Sequence, residues 1–144
     1  MKNTIIRISE TANRGKSLTI SKLGRRLVQL GATTQDDISG KEYRAVLMYK
    51  GIKIGIQSSG DIESIVQTGL KYFLSHQCKI IVIPTKRYGA TVDAVTNFAQ
   101  SHSFRVIIGS PYQVNGSELE IEQIKEYSAE HYGLMISDII SNRL

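Results

Sequence analysis

Ile5-Ile6-Arg7-Ile8-Ser9-Glu10-Thr11-Ala12-Asn13-Arg14-Gly15-Lys16-Ser17-Leu18-Thr19-Ile20 is the stretch on which the fold turns. The run Ile5 to Ile8 has the apolar character of a strand. From Leu18 to Leu30 the apolar residues recur at helical spacing. Between them lies Asn13-Arg14-Gly15-Lys16-Ser17, so the order is strand, loop, Gly-Lys-Ser, helix. That order suits an anion. Backbone N–H groups of such a loop and of the helix start converge on a phosphate, Lys16 brings a mobile positive charge, and the Ser17 hydroxyl is placed to ligate magnesium. One position departs from the full pattern G-x-x-x-x-G-K-[ST], which has glycine where this chain has Glu10. A carboxylate there repels phosphate and lacks glycine's backbone freedom. Either Glu10 turns away, toward Arg14 or Lys16, or the loop is degenerate.

Working outward, Leu18, Leu23, Leu27 and Leu30 form the helix's apolar stripe, with Lys22, Arg25 and Arg26 among them and Gly31 as its stop. Ala32 to Lys41 is polar and reads as a surface connection. Tyr43–Tyr49 and Ile52–Ile56 are β-like runs joined by Lys50-Gly51, a hairpin signal. Asp61 is placed to cap a helix through Ile62, Ile65, Val66, Leu70, Phe73 and Leu74. Ile80 to Ile83 is continuously apolar, as in a strand covered on both faces. A loop follows at Pro84–Gly89, then a helix over Ala90–Ser101 and a second buried strand over Arg105–Ile108. Gly109-Ser110-Pro111 ends that strand. Glu118 to Leu144 is the last helical region, with a break expected near Gly133. Strands separated by helices predict an α/β fold, a three-layer α/β/α sandwich with a mainly parallel five-stranded sheet. The Tyr43–Tyr49 strand falls antiparallel at one edge, and residues 1–144 make a single domain. Ligands of such sheets bind at the carboxyl ends of the strands. That edge would carry the Gly-Lys-Ser loop, Ser58–Asp61, Thr85–Gly89 and Gly109–Gln113.

On these residues the chain resembles the P-loop NTPase superfamily, in a small, single-domain, kinase- or GTPase-like form with a degenerate phosphate loop. Asn-x-Gly-Lys-Ser is similar to the loop ending of many small GTPases. By the same comparison Gln57-Ser58-Ser59-Gly60 stands where those proteins have Asp-x-x-Gly, so Gln57 replaces the Asp that would hold magnesium through water. The resemblance implies binding of a nucleoside triphosphate, ATP foremost, with Mg2+. It implies NTP hydrolysis or small-molecule or nucleotide phosphoryl transfer if the chain is an enzyme. Asn13, Arg14, Gly15, Lys16, Ser17 and Leu18 would hold the phosphates. Lys16 would neutralise the β and γ phosphates and Arg87 would act on transition-state charge. Ser17 and Asp61 are the metal candidates. Ser58 and Ser59 face the terminal phosphate on this view, and Tyr112 stacks on the base. Thr85-Lys86-Arg87-Tyr88 lacks the carboxylate of a guanine-reading motif. The alternative is a catalytically inactive P-loop-fold protein that serves as an interaction module.

Composition narrows the remaining classes. With 41% hydrophobic and 22% charged residues, a 144-residue chain can build a core and has no disordered composition. The formal charge of +5 suits an anionic partner. Nucleic acid is the minor form of that expectation, resting on Lys22, Arg25 and Arg26. A single cysteine, Cys78, beside the Ile80–Ile83 run reads as a buried structural thiol. The three histidines, His76, His102 and His131, lack metal-ligand spacing and read as surface or packing residues. No segment has transmembrane length or signal-peptide character, so no membrane association and a cytoplasmic protein are the default expectations. The region holding Tyr127, Tyr132, Leu134, Ile136, Ile139 and Ile140 offers either a homodimer surface or packing against the sheet.

Overall fold

A computed structural model of the protein describes residues 1–9, 16–38 and 43–144, without the side chains of 16–18 and 37–38. Ten elements follow in order among the described residues. They are β1 (Thr4–Ser9), α1 (Lys16–Gln29), β2 (Thr33–Ile38), β3 (Arg44–Tyr49), β4 (Ile52–Gln57), α2 (Glu63–Ser75), β5 (Ile80–Thr85), α3 (Ala90–His102), β6 (Arg105–Gly109) and α4 (Glu118–Ile140). The strands form one mixed sheet in the order β2-β3-β4-β5-β1-β6. β4, β5, β1 and β6 run parallel, while β2 and β3 join as antiparallel neighbours.

The fold class is α/β as expected, but the sheet has six strands rather than five and is mixed rather than mainly parallel. The difference is β2. Thr33-Thr34-Gln35-Asp36-Asp37-Ile38 has no apolar alternation, so it reads as a connection in the sequence. Pairing with β3 makes it a strand, and it, not Tyr43–Tyr49, forms the edge. Charge on an edge strand discourages pairing with another chain. Asp36 also fastens β2 to α2: Tyr72 Oη donates to its carboxylate, and His76 Nε2 lies 3.3 Å from it. Burial, then Asp36, pushes the Tyr72 pKa up to about 12. The hairpin between β3 and β4 turns at Lys50 (φ 51°) and Gly51 (φ 78°). Two left-handed central residues match the twist of the strands.

Period-2 alternation splits each strand between two cores. Ile6 and Ile8 of β1, with Ile54, Ile56, Ile80 and Val82, pack beneath α1 and α4 through Ile20, Leu23, Leu27, Ala129, Tyr132, Ile136 and Ile139. Ile5, Val46, Ile81 and Ile83 pack beneath α2 and α3 through Val66, Leu70, Phe73, Val95 and Ala99. Helices therefore cover both faces. Each fully buried isoleucine contributes roughly 1.5–3 kcal/mol, so the central strands β5 and β1 concentrate the hydrophobic stabilisation. Cys78 is buried as expected, and burial pushes its pKa up to about 12, which leaves the thiol unreactive.

α4 is continuous across Gly133, against the expected break. It opens with a capping box. Ser117 Oγ accepts from the Glu120 N–H, and the Glu120 carboxylate accepts from the Ser117 N–H. Its Tyr132, Ile136 and Ile139 face the sheet, so packing accounts for most of the apolar region offered as a dimer surface; Tyr127 and Leu134 stay exposed. Part of the basic stripe of α1 is engaged as well. Lys22 is buried and bonds Glu126 at 2.7 Å and Glu122 at 3.0 Å, while Arg26 lies 3.6 Å from Glu130. Two of the three cations behind the nucleic-acid expectation thus face carboxylates of α4, while Arg25 is exposed. No helix among the described residues is long and apolar enough to cross a membrane.

Candidate functional site at the carboxyl edge of the sheet

The chain leaves β1 for α1 on one face of the sheet and leaves its neighbour β5 for α3 on the other. Adjacent strands whose connections diverge in this way open a crevice at their carboxyl ends. Ser9 of β1 pairs with Thr85 of β5 at the base of that crevice. Hydroxyls tie the surrounding segments together. Ser110 Oγ donates to the Ser9 carbonyl at 2.5 Å, and Ser9 Oγ donates to the Lys86 carbonyl at 3.4 Å. Thr85 Oγ1 also donates to the Lys86 carbonyl, at 2.7 Å, and Thr91 Oγ1 accepts from the Lys86 N–H at 3.1 Å.

Arg7 lies directly below. It faces the α2 and α3 side of β1, with only 6% of its surface exposed. Its guanidinium donates to Thr85 Oγ1 at 3.0 Å. Thr85 stands opposite Ser9, so the Arg7 side chain climbs two residues along the strand to reach the carboxyl edge. No carboxylate among the described residues pairs with it. Desolvation pulls its pKa below the ordinary value, yet a guanidinium stays charged at neutral pH.

The segment after β4 closes one side of the crevice. Gln57 is fully buried and accepts from Arg44 Nε at 2.7 Å, while its amide donates to the Ser59 carbonyl at 2.8 Å and the Ile65 carbonyl at 3.3 Å. Gln57 is thus committed to holding the loop against α2. Ser58 is buried too, its hydroxyl accepting from the Tyr43 N–H at 3.1 Å, so that part of it is engaged with the backbone. Gly60 rests on β5: a Cβ there would lie 1.8 Å from the Pro84 carbonyl oxygen. Asp61 is exposed and does not cap α2; Ile62 is the N-cap and makes no side-chain capping bond. Asp61 therefore keeps its place at the edge without the capping role.

Across the crevice, Lys86, Arg87 and Tyr88 are exposed on the β5–α3 loop. Gly89 ends that loop at φ 97°, ψ −154°, a conformation reserved for glycine. Beyond β6, Tyr112 is 47% exposed, its hydroxyl 3.0 Å from His131 Nδ1 and its ring parallel to that imidazole at 5.8 Å. A groove of about 170 Å³ adjoins it, lined by Gly109, Ser110, Tyr132 and Met135.

Lys16, Ser17 and Leu18 form the first turn of α1, with side chains outside the description. Asn13, Arg14 and Gly15, together with Glu10, lie outside the described residues. The described candidates Asp61 and Arg87 flank the same crevice from separate loops. Arg7 had no role assigned from sequence and Thr85 entered only as the first residue of an edge loop, although an arginine inside an apolar central strand is itself a signal. Among the described residues no three His, Cys, Asp or Glu side chains gather as a metal site. No family model, no curated protein and no solved structure matches this chain.

Proposed function

We propose that the protein binds a phosphorylated ligand, foremost a nucleoside triphosphate such as ATP with Mg2+, in the crevice at the carboxyl edge of the sheet. The observation that carries this reading is the place of Lys16 and Ser17 in the first turn of α1, the helix that follows the central parallel strand β1, whose neighbour β5 is followed by a helix on the opposite face. A helix start at that point favours negative charge. Lys16 would neutralise the β and γ phosphates, and Asn13 to Leu18 would surround them. Arg87, exposed on the facing loop, suits charge on a transferred phosphoryl group. Magnesium binds through phosphate oxygens, one or two protein oxygens and retained waters. Ser17 and Asp61 supply donors of that kind without a dedicated cage. NTP hydrolysis or phosphoryl transfer is the chemistry this arrangement would serve.

Calorimetric titration with non-hydrolysable ATP and GTP analogues, with and without magnesium, tests the reading. Micromolar binding that needs magnesium and disappears in Lys16→Ala supports it. No binding of either analogue refutes it. A second reading, a non-catalytic interaction module, draws on α4. Leu119, Tyr127 and Leu134 are 69%, 61% and 60% exposed and recur at intervals that place them on one helix face.

A further inference from the structure

We infer that Arg7 is a ligand-binding residue of this crevice: its guanidinium is a built-in counter-charge for the anion bound there. The inference rests on the phosphate-binding reading and adds a residue that the Gly-Lys-Ser motif does not contain. A charge this deeply buried is normally paired with an opposite charge, because removing it from water is costly. The described partner of Arg7 is a neutral hydroxyl, that of Thr85, which leaves most of the five guanidinium donors to be satisfied elsewhere. The position is equally telling. The side chain reaches the carboxyl edge between β1 and β5, whose following helices α1 and α3 pack on opposite faces of the sheet. The planar fork of arginine matches the oxygens of a phosphate group, and low exposure strengthens such charge-assisted bonds.

Thr85 extends the consequence. Its hydroxyl receives Arg7 and donates to the Lys86 carbonyl, the first residue of the loop that carries Arg87. An anion drawing on Arg7 therefore acts on the anchor of the facing loop as well.

The test is Arg7→Met, which keeps an unbranched apolar stem and removes the charge. It is compared with the unaltered protein in thermal unfolding without ligand and in titration with inorganic pyrophosphate and a non-hydrolysable ATP analogue. The expected result has two parts with opposite signs. Without ligand the variant melts at the same temperature or higher, because a buried charge with no carboxylate partner among the described residues is gone. Its affinity for both probes falls tenfold or more, the loss of one charge-assisted hydrogen bond. A purely structural arginine gives the reverse: the variant melts lower or fails to fold, and the inference is overturned. Unchanged affinity in a folded variant overturns it too, while phosphate binding itself stands. If the unaltered protein binds neither probe, the proposed function fails and the inference falls with it.

Discussion

Substituting alanine at Gly60 and at Gly133 should shift stability in opposite directions, and the structure sets both magnitudes. At Gly60 the new Cβ would lie 1.8 Å from the Pro84 carbonyl oxygen and 2.5 Å from its carbon. Both are backbone atoms of a central strand and cannot rotate aside, so the Ser58–Asp61 segment must lift by more than about 1 Å to restore van der Waals contact. Overpacking of this kind costs about 1–3 kcal/mol, and a backbone obstacle places Gly60→Ala at the upper end. At Gly133 the nearest atoms are Leu23 Cδ1 at 3.8 Å and Arg26 Cγ at 3.9 Å, ordinary contact distances. Alanine there relieves a helix-interior glycine and adds about 0.5–1 kcal/mol. At about 3 °C per kcal/mol for a chain of this size, Gly60→Ala should melt roughly 9 °C lower and Gly133→Ala roughly 1.5–3 °C higher. Calorimetry and urea titration of the three proteins measure this directly. If Gly60→Ala melts within a degree of the unaltered protein, the loop does not rest on β5 and the geometry assigned to that side of the crevice is wrong.

Lys22→Met should lower the melting temperature near neutral pH, with a difference that depends on pH in a stated way. Hydrogen bonds donated to Glu126 and Glu122 raise the Lys22 pKa above 10.5, so its contribution is complete below that pH and is lost as pH rises through the folded value. Lys22 depresses the Glu122 carboxyl below 4.5, so that contribution is present above 4.5 and is lost as pH falls through the folded value. The gap between the two melting curves should be flat from about pH 5 to 10 and shrink outside it; a gap that grows in acid refutes the clasp. Ser117→Ala removes the α4 cap and should cost about 1 kcal/mol by urea unfolding, whereas Thr96→Ala on exposed α3 serves as a near-neutral comparison. Gly89→Ala forces a side chain into a glycine-only conformation at about 1–3 kcal/mol, and amide exchange should localise the loosening to the Arg87 loop and the start of α3.

How much of this was legible follows from the kind of signal each part carries. Continuous apolar runs marked β1, β5 and β6, helical periodicity marked the four helices, and Lys50-Gly51 marked the hairpin, because these depend on local backbone preference and on burial repeated along one segment. β2 was invisible because its polar residues acquire a strand only by pairing with β3 and by the Asp36 bonds to Tyr72 and His76. The same limit misassigned Asp61, whose type favours a cap, while the helix takes Ile62 as its N-cap. Lys22 and Arg26 looked like a free basic face because their carboxylate partners lie about a hundred residues away on α4.

By itself, then, the sequence determined the α/β class, most of the elements and the Gly15-Lys16-Ser17 segment at the start of a helix, since each is written in contiguous residues. Only the tertiary structure decided the strand order, the buried setting of Arg7 beside Thr85, the close approach of Gly60 to Pro84 and the pairing of Lys22 and Arg26 with carboxylates of α4. These are meetings of residues distant along the chain. Burial, counter-charge and steric clearance are properties of what a side chain meets, and no local pattern encodes them.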